Sequence, residues 1–575
     1  MMPETKFFHR IWLSVALLAL GCGCCAAQAP AARAGREISG VVVSAKSGEP
    51  LAEAHVMLAR TRDRKQVAET DTDAEGRFAF RSLGDGKFDL SASRRGYVAA
   101  SYEQHDSGVS TAIVTGEGLI STGLRFELLP QAAIYGTVAE DSGDPVAMAR
   151  VTLYRKDQYR GTGEIRRAAV TTADAKGNFE LPHLLPGAYF ACAMGSPWYA
   201  RRGQPPRGGA QDPASQSRLA ALNVAYPPTC YPDVTDPQAA VPIMLAAGDR
   251  IEVNLAMHPL PSVHLEMQIP SADDRRGRIM PQFGLDMFGN SEPDMAWFTN
   301  TMEGNGRDGN GSQKVEIDGL PPGQYEVEFP GQPGEASRRM SLDASADSPP
   351  IDLSAATPLA TITGKVAAAD GGSMPSSATI RLAQHGENRE AVAQIAADGT
   401  FTLQSVRPGE YDVVINSSGF VVAITSLRAR GGTLSGATLK VGSDAIVLTA
   451  TVGEVNATVS GVVKRDGSAK PGVFVVMAPA DMNAPRAMWR ANQSDSDGTF
   501  DMAHVAPGTY TVAAIEQGWT LDWSRPEVIA PYLARGAKVT VAPGVREVEV
   551  KDALEAQPLS LQQARAPDAA PAANQ

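Results

Sequence analysis

The chain has 575 residues, enough for several domains of about 100–150 residues each. Its 55 glycines and 40 prolines, with 20% charged and 6% aromatic residues, favour many short strands and turns over long helices. The net charge of −12 argues against a nucleic-acid backbone as partner and against electrostatic docking onto anionic lipid.

Residues 1–29 have the pattern of an export signal. Lys6 and Arg10 precede the apolar run Ile11 to Leu20, which is too short to span a bilayer with these flanks. Small residues ending at Ala29 favour simple cleavage, whereas the letters ALGC ending at Cys22 resemble a lipobox and favour acylation of Cys22. Either interpretation predicts an exported protein of the periplasm or cell surface. No later segment is apolar enough to cross a membrane.

A strand pattern with a central glycine opens four units along the chain. The glycines are Gly40, Gly136, Gly364 and Gly461. Neighbouring units are about 100 residues apart, and the wider gap between Gly136 and Gly364 leaves room for one degenerate unit. The spacing therefore predicts five units.

Each of these four units then repeats a hairpin signature. A short polar turn that ends in glycine is followed by a strand in which polar and apolar residues alternate. The four copies read TDTDAEGRFAF from Thr70, TTADAKGNFEL from Thr171, IAADGTFTL from Ile395 and SDSDGTFDM from Ser494. Asp-Gly pairs such as Asp497-Gly498 favour the positive φ angles of tight hairpin turns.

A third signature is a turn followed by an aromatic strand. It reads LLPGAYFACA from Leu184, LPPGQYEVEF from Leu320, VRPGEYDVVI from Val406 and VAPGTYTVAA from Val505, with the variant LGDGKFDLSA from Leu83. Alternation gives each strand one apolar face, which must pack on a second sheet. We expect the aromatic residues of these strands to be buried: Phe88, Tyr189, Tyr325, Tyr411 and Tyr510.

Together these signatures resemble the carboxypeptidase regulatory-like domain, a transthyretin-like sandwich related to the collagen-adhesin B-type repeat and the carbohydrate-binding-like fold. The segments from Gly48 to Val56 and from Gly143 to Val151 match the family's second element. The segments 226–248 and 521–544 resemble those of bacterial multi-repeat members. The resemblance implies an all-β chain, a tandem array of about five Ig-like or transthyretin-like β-sandwich domains.

The predicted boundaries follow from the repeats. They are a signal peptide at 1–29, a linker at 30–36, sandwiches at 37–130, 131–258 (with an insertion at 195–230), 259–357 (degenerate), 358–453 and 454–555, and a disordered tail at 556–575. The junctions are short, so we expect an elongated, semi-rigid rod.

Catalytic motifs are missing from the sequence. None of the 8 histidines is followed by Glu at the third position, as a zinc carboxypeptidase would require, and no G-x-S-x-G or P-loop motif occurs. We therefore expect a protein that is not an enzyme, with no catalytic residue, no metal and no cofactor.

Exposed aromatic residues are the candidate ligand site, because sugars stack on flat rings. The candidates are Trp198, Tyr199 and Arg201 in the insertion, and Trp519 and Trp523 in or just before the closing segment, residues 521–544. The alternative, which we favour, is that each aromatic ring covers the edge of its own sandwich. The fold resemblance suggests carbohydrate as the ligand class. The leading hypothesis is a non-catalytic binding or spacer protein of the cell envelope, with a glycan or an envelope protein as partner. The alternatives are a scaffold that holds an envelope partner and an accessory to a secreted hydrolase.

Two cysteines, Cys192 and Cys230, remain after the signal. In an exported chain a pair of cysteines suggests a disulfide, here one that would clamp the Gly- and Pro-rich insertion. The alternative is that Cys192 is a small buried apolar residue and Cys230 a lone loop thiol.

Overall fold

A computed structural model describes residues 36–105, 108–156, 161, 163–200, 221–269, 281–292, 300–307, 313–330, 336–345, 348–352, 355–369, 371, 377–384, 390–417, 420–453, 457–482, 484 and 488–559. The predicted signal peptide with Cys22 and the tail from residue 560 lie outside the described residues. The chain is all-β, and its sheets form five consecutive two-sheet sandwiches, as the repeats predict.

Sandwiches one and two contain the first eighteen strands. Those of sandwich one are β1 (Arg36–Ser44), β2 (His55–Arg60), β3 (Gln66–Asp71), β4 (Arg77–Leu83), β5 (Gly86–Ser93), β6 (Ala100–Ser101), β7 (Ile113–Thr115) and β8 (Leu124–Leu128). Those of sandwich two are β9 (Ala132–Glu140), β10 (Arg150–Lys156), β11 (Ile165–Thr172), β12 (Asn178–Leu184), β13 (Gly187–Met194), β14 (Val224–Ala225), β15 (Thr229–Cys230), β16 (Ile243–Leu245), β17 (Arg250–Glu252) and β18 (Leu255–Met257).

Sandwich three follows the short strand β19 (Leu260–Pro261), which pairs with β14. Its strands are β20 (Val263–Ile269), β21 (Gln282–Met287), β22 (Asn290–Glu292), β23 (Asn300–Arg307), β24 (Gln313–Leu320), β25 (Gly323–Phe329), β26 (Arg338–Ala344), β27 (Ile351–Asp352) and β28 (Thr357–Pro358).

Sandwich four contains β29 (Ala360–Ala368), β30 (Thr379–Gln384), β31 (Glu390–Gln394), β32 (Thr400–Val406), β33 (Gly409–Ser417), β34 (Phe420–Val421), β35 (Ala423–Arg430), β36 (Thr433–Ser435), β37 (Thr438–Val441) and β38 (Ile446–Gly453). Sandwich five contains β39 (Ala457–Arg465), β40 (Ser468–Ala469), β41 (Phe474–Pro479), β42 (Arg490–Gln493), β43 (Thr499–Val505), β44 (Gly508–Ile515), the helix α1 (Pro526–Leu533), β45 (Ala537–Val541), β46 (Glu547–Glu549) and β47 (Leu554–Glu555).

Each sandwich repeats one pairing scheme. In sandwich one, β1 pairs antiparallel with β4 and parallel with β8, while β2 pairs with β3 and β5 in the second sheet. The other opening strands, β9, β20, β29 and β39, likewise have one antiparallel hairpin strand and a parallel closing strand. The third unit is degenerate in sequence but keeps this topology.

The repeated turns are closed by side-chain hydrogen bonds. In the first hairpin, Asp73 accepts from the backbone N–H groups of Glu75 and Arg77 at 3.0 and 2.8 Å. Gly76 in this turn has φ of +72°, a conformation that glycine adopts without steric cost. After the proline-glycine turn, the Tyr510 hydroxyl donates to the carbonyl oxygen of Ala506 at 2.8 Å.

The predicted burial of the aromatic strand residues is confirmed. All five are inside a core, at exposures between 0 and 6%. Along β44 the side chains of Tyr510, Val512 and Ala514 enter the inter-sheet core, whereas Ala513 and Ile515 lie on the opposite face. That second face is covered by the closing segment, where Ile529 and Tyr532 of α1 are buried. The last sandwich therefore has a third layer.

Two expectations need correction. The chain is not an extended rod, because sandwich five returns to contact sandwich one through side-chain and backbone hydrogen bonds. Short junctions limit the freedom between neighbours, but they do not dictate a straight path. The ordered chain also continues past Glu555, since Ala556 and Gln557 are buried although both fall in the predicted disordered tail.

Candidate functional site

A partly buried ion-pair cluster joins the first sandwich to the last. Lys87 on β5 places its Nζ 2.8 Å from Oδ2 of Asp495 and 2.5 Å from Oδ2 of Asp501. Asp495 belongs to the hairpin between β42 and β43, and Asp501 lies on β43. We call these three residues the clasp. One lysine thus connects two carboxylates of a sandwich that lies about four hundred residues further along the chain.

Backbone groups reinforce the clasp. The N–H of Ser496 donates to the carbonyl oxygen of Ala112 at 3.0 Å, and the N–H of Ala112 donates to Oδ1 of Asp495 at 3.2 Å. The N–H of Val114 on β7 donates to Oγ of Ser496 at 2.8 Å. The hairpin of sandwich five therefore covers a free edge of sandwich one, and exposed strand edges usually need such protection.

A polar network continues from the clasp into sandwich one. Nε2 of Gln493 donates to Oγ1 of Thr111 at 2.7 Å and to the carbonyl oxygen of Glu103 at 3.1 Å. Oγ1 of Thr111 in turn donates to Oε2 of Glu103 at 2.8 Å. Gln493 is fully buried and Thr111 is 2% exposed, so this network lies inside the contact.

The closing segment touches both of the first two sandwiches. Trp519 stacks on His105 of sandwich one with ring centroids 3.5 Å apart and planes 6° from parallel. Asp522 pairs with Lys156 of sandwich two at 3.1 Å, and the N–H of Ser524 donates to the carbonyl oxygen of Gly161 at 3.1 Å. Sandwiches one, two and five therefore meet at one junction.

A cleft of about 980 Å³ lies at this junction. Sandwich one lines it with segment 98–105 and with Arg125 and Glu127, sandwich two with Leu185, and sandwich five with segment 470–473, Glu516 and Trp519. The wall mixes aromatic and aliphatic side chains with carboxylates, amides and cations. Such a mixture suits a ligand that presents both apolar and hydroxyl surfaces.

Burial changes the titration of several groups at the junction. It raises the pKa of Asp495 to about 6, although Lys87 acts in the opposite direction. Burial alone would lower the pKa of Lys87, but Asp495 and Asp501 raise it above its ordinary value. Burial, with Glu103 and Glu127 nearby, raises the pKa of Tyr102 in the cleft to about 12.

The four sequence-predicted ligand residues that the structure describes lie at two places. Trp198 is 80% exposed at the end of sandwich two, with its ring 5.7 Å from that of Tyr199. The Tyr199 hydroxyl donates to Glu140, and Arg201 lies outside the described residues. Trp523 is only 7% exposed and packs on Phe474 with ring centroids 5.9 Å apart, so it covers its own sandwich and offers no open stacking surface. Trp519 lines the cleft, but one face is covered by His105.

Cys192 and Cys230 face each other on β13 and β15 and form a disulfide, with their Cα atoms 4.0 Å apart. Both are buried, at 1% and 0% exposure. They lie on the face of sandwich two that packs into the core of sandwich three, beside Val263 and Phe283. The bond therefore closes the insertion and also forms part of the contact between two sandwiches.

Sequence reasoning missed Lys87, His105 and Asp495. Asp495 occupies the hairpin position of Asp73 and Asp174, which accept backbone hydrogen bonds within their own turns. Lys87 occupies a variable position beside the aromatic residue of its strand. The one signal was the unusual letters GDGK in the first unit, and nothing in the sequence connects them to the last hairpin.

In the part of the chain that the structure describes, no three His, Cys, Asp or Glu side chains are grouped closely enough to hold a metal ion. Within the same residues, no helix is long and apolar enough to cross a membrane.

The fold defines the class of the protein, a tandem array of β-sandwiches, and comparison with known proteins supports the family of the first sandwich. Residues 37–115 match the model of the carboxypeptidase regulatory-like domain, which confirms the resemblance over sandwich one. No curated protein matches the chain.

Several solved structures are similar to parts of the chain. GBS52, the minor pilin of Streptococcus agalactiae, has 14% identity and a TM-score of 0.21, over 42% of this chain and 100% of that one. The Bacillus anthracis TIE protein has 10% identity and a TM-score of 0.17, over 72% and 74% of the two chains. BcpA, the major pilin subunit of Bacillus cereus, has 10% identity and a TM-score of 0.14, over 72% and 99%. Similarities at this level carry no information on function.

Proposed function

We propose that this chain is an exported, non-catalytic binding protein of the cell envelope, and that its ligand site is the cleft between sandwiches one, two and five. The observation that carries the proposal is the return of the last sandwich to the first. A spacer has no need of such a contact, whereas here it creates a concave site of about 980 Å³ from three separate units.

Oligosaccharide is the ligand class that we propose. Sugars combine apolar ring faces with many hydroxyl groups, and they are commonly held by aromatic rings flanked by carboxylates and amides. The cleft has this composition, with Tyr102 and Trp519 near Gln104 and Glu127. The match to the regulatory-like domain at residues 37–115 concerns turn and core residues, so it supports the fold, and the ligand class is argued from the cleft alone.

The test is a glycan array probed with the mature protein and two variants. Ala99 lines the cleft and is exposed, so Ala99→Trp fills the cleft with little effect on the core. The matched control is Val447→Trp, an equal enlargement at a residue of β38 that is 49% exposed. We expect binding by the parent protein and by the control, and its loss in Ala99→Trp. Retention of every glycan by Ala99→Trp would place the site elsewhere.

A second candidate function is a scaffold that holds an envelope protein, and one observation favours it. Trp198 is 80% exposed, and tryptophan is enriched at the centres of protein interfaces. If this surface binds a protein, Trp198→Ala abolishes photo-crosslinking from residue 199 to one envelope protein in intact cells. Ala99→Trp would leave that crosslink unchanged.

A further inference from the structure

The contact between sandwiches one and five buries several polar side chains alongside apolar ones such as Val109, which packs on the apolar cluster of sandwich five. Gln493, Ser494 and Thr111 are at most 2% exposed, and Asp495 is 7% exposed. Buried polar groups are tolerated mainly where they are hydrogen-bonded, and each of these side chains makes at least one hydrogen bond, although Oε1 of Gln493 has no partner among the described residues. When two such surfaces separate, water can replace the lost bonds, so a polar contact opens at a smaller cost than an apolar one.

We propose that sandwich five docks reversibly on sandwich one, that Lys87 is the positioning residue of this docking, and that docking assembles the cleft. Only the consequence for ligand affinity rests on the proposed function. The docking itself is a property of the chain.

Lys87 has this role because it is the cation of the clasp. Its side chain is 27% exposed, and that of its partner Asp495 is 10% exposed. Removing the lysine would leave a buried carboxylate without its cation, which strongly disfavours the docked arrangement. Asp501, at 44% side-chain exposure, can be solvated in place, so its contribution is smaller.

Two hydrogen bonds link the clasp to the wall of the cleft. Gln493 precedes the clasp hairpin and donates to the carbonyl oxygen of Glu103, and Glu103 lines the cleft. Thr111 donates to the carboxylate of the same residue. On the opposite wall, Trp519 keeps its place against His105 only while the two sandwiches are docked. Release of the clasp therefore takes the cleft apart.

The first experiment compares Lys87→Ala with Lys46→Ala in the ligand-free protein. Lys46 also joins two sandwiches, through an exposed ion pair with Asp249 at 3.2 Å, and is the matched control. We expect a larger radius of gyration by small-angle X-ray scattering for Lys87→Ala alone. We also expect amide exchange at Ala112, Val114 and Ser496 to accelerate roughly 10- to 100-fold in that variant. Parental scattering and exchange in Lys87→Ala would overturn the proposal.

A locked variant separates docking from folding. Ser496 donates its N–H to the carbonyl oxygen of Ala112, so cysteines at these two positions lie side by side and can be crosslinked. In this background Lys87→Ala should regain parental scattering, which it would not do if the substitution unfolded sandwich one. An unrescued locked variant would contradict a positioning role.

A second experiment measures the affinity for an oligosaccharide that the parent protein binds on the glycan array. Its affinity should fall at least tenfold in Lys87→Ala and recover in the locked variant. An unchanged affinity would show that the cleft forms without docking and would overturn this part of the proposal. If the parent protein retains no oligosaccharide while scattering still responds to Lys87→Ala, the proposed function fails and the docking stands.

Discussion

In four of the five sandwiches, a tyrosine hydroxyl closes the proline-glycine turn with one hydrogen bond. Tyr189, Tyr325, Tyr411 and Tyr510 each donate to the carbonyl oxygen four residues upstream, at 2.8 to 3.0 Å. Sandwich one has Phe88 at this position. There the equivalent carbonyl oxygen, that of Gly84, accepts instead from Oγ1 of Thr115 at 2.8 Å. The turn thus keeps its bond although the donor has moved to another strand.

Tyr510→Phe should lower the free energy of unfolding of sandwich five by about 1 kcal/mol, because the ring stays buried and only the hydrogen bond is lost. Urea denaturation followed by tryptophan fluorescence reports on this sandwich, since Trp489, Trp519 and Trp523 belong to it. Thr115→Val is the parallel test in sandwich one. An unchanged midpoint in both variants would show that water replaces the bond.

At the scale of elements, the opening strands of sandwiches one, two and four contain glycine because the backbone of the closing strand beside them leaves no room for a Cβ. A Cβ at Gly136 would lie 1.8 Å from the carbonyl oxygen of Val253, and one at Gly364 would lie 2.0 Å from that of Leu448. No side chain fits at such distances, so the strand pair would have to separate. The glycine at this position is therefore explained by a close backbone contact and not by a need for flexibility.

Gly364→Ala should therefore destabilise sandwich four by about 3 kcal/mol or more. Limited proteolysis should then cut within residues 358–453 first. The control is Gly442→Ala in the same sandwich, where an added Cβ has no neighbour within 4 Å and should be tolerated. Equal protease resistance of the two variants would refute the close-approach explanation.

The disulfide is the covalent element of the fold. Cys192 and Cys230 are 38 residues apart, and the loop-entropy model gives such a closure about 4 kcal/mol. Reduction should therefore lower the stability of sandwich two by roughly this amount, and also that of sandwich three, because both cysteines belong to the apolar cluster that includes its core. Thiol labelling of the unfolded, unreduced mature protein checks the bond. Labelling at both cysteines would disprove it.

Much of the fold was predictable because its signals are local. The hairpin aspartates, the proline-glycine turns and the alternating strands each act within about ten residues, and the repeat multiplied each signal. The docking of sandwich five was not predictable. It depends on Lys87 and Asp495, which are 408 residues apart and each resemble ordinary turn or strand residues. The third layer that buries Trp523 was not predictable either, because no repeated signal precedes the helix that forms it.

At the scale of the whole molecule, the clasp should make the docking depend on pH. The charged groups that face Asp495 are Lys87 on β5 and Asp501 on β43. Burial raises the pKa of Asp495 from 3.8 to about 6, so the docked state binds a proton more tightly than the separated state. The stabilisation of docking by protonated Asp495 is complete below about pH 3.8 and is lost as the pH rises through about 6. Lys87 stays protonated throughout this range, because its pKa is raised above 10.5.

Docking should therefore be stronger at pH 5 than at pH 7.5, by about 1–2 kcal/mol. Amide exchange at Ala112 and Ser496, corrected for the intrinsic effect of pH on exchange, measures this difference directly. Asp495→Asn removes the titrating group and should make docking nearly independent of pH over the same interval. Docking that instead weakens at pH 5 would show that the attraction of the Asp495 carboxylate to Lys87 outweighs its burial, and would contradict this prediction.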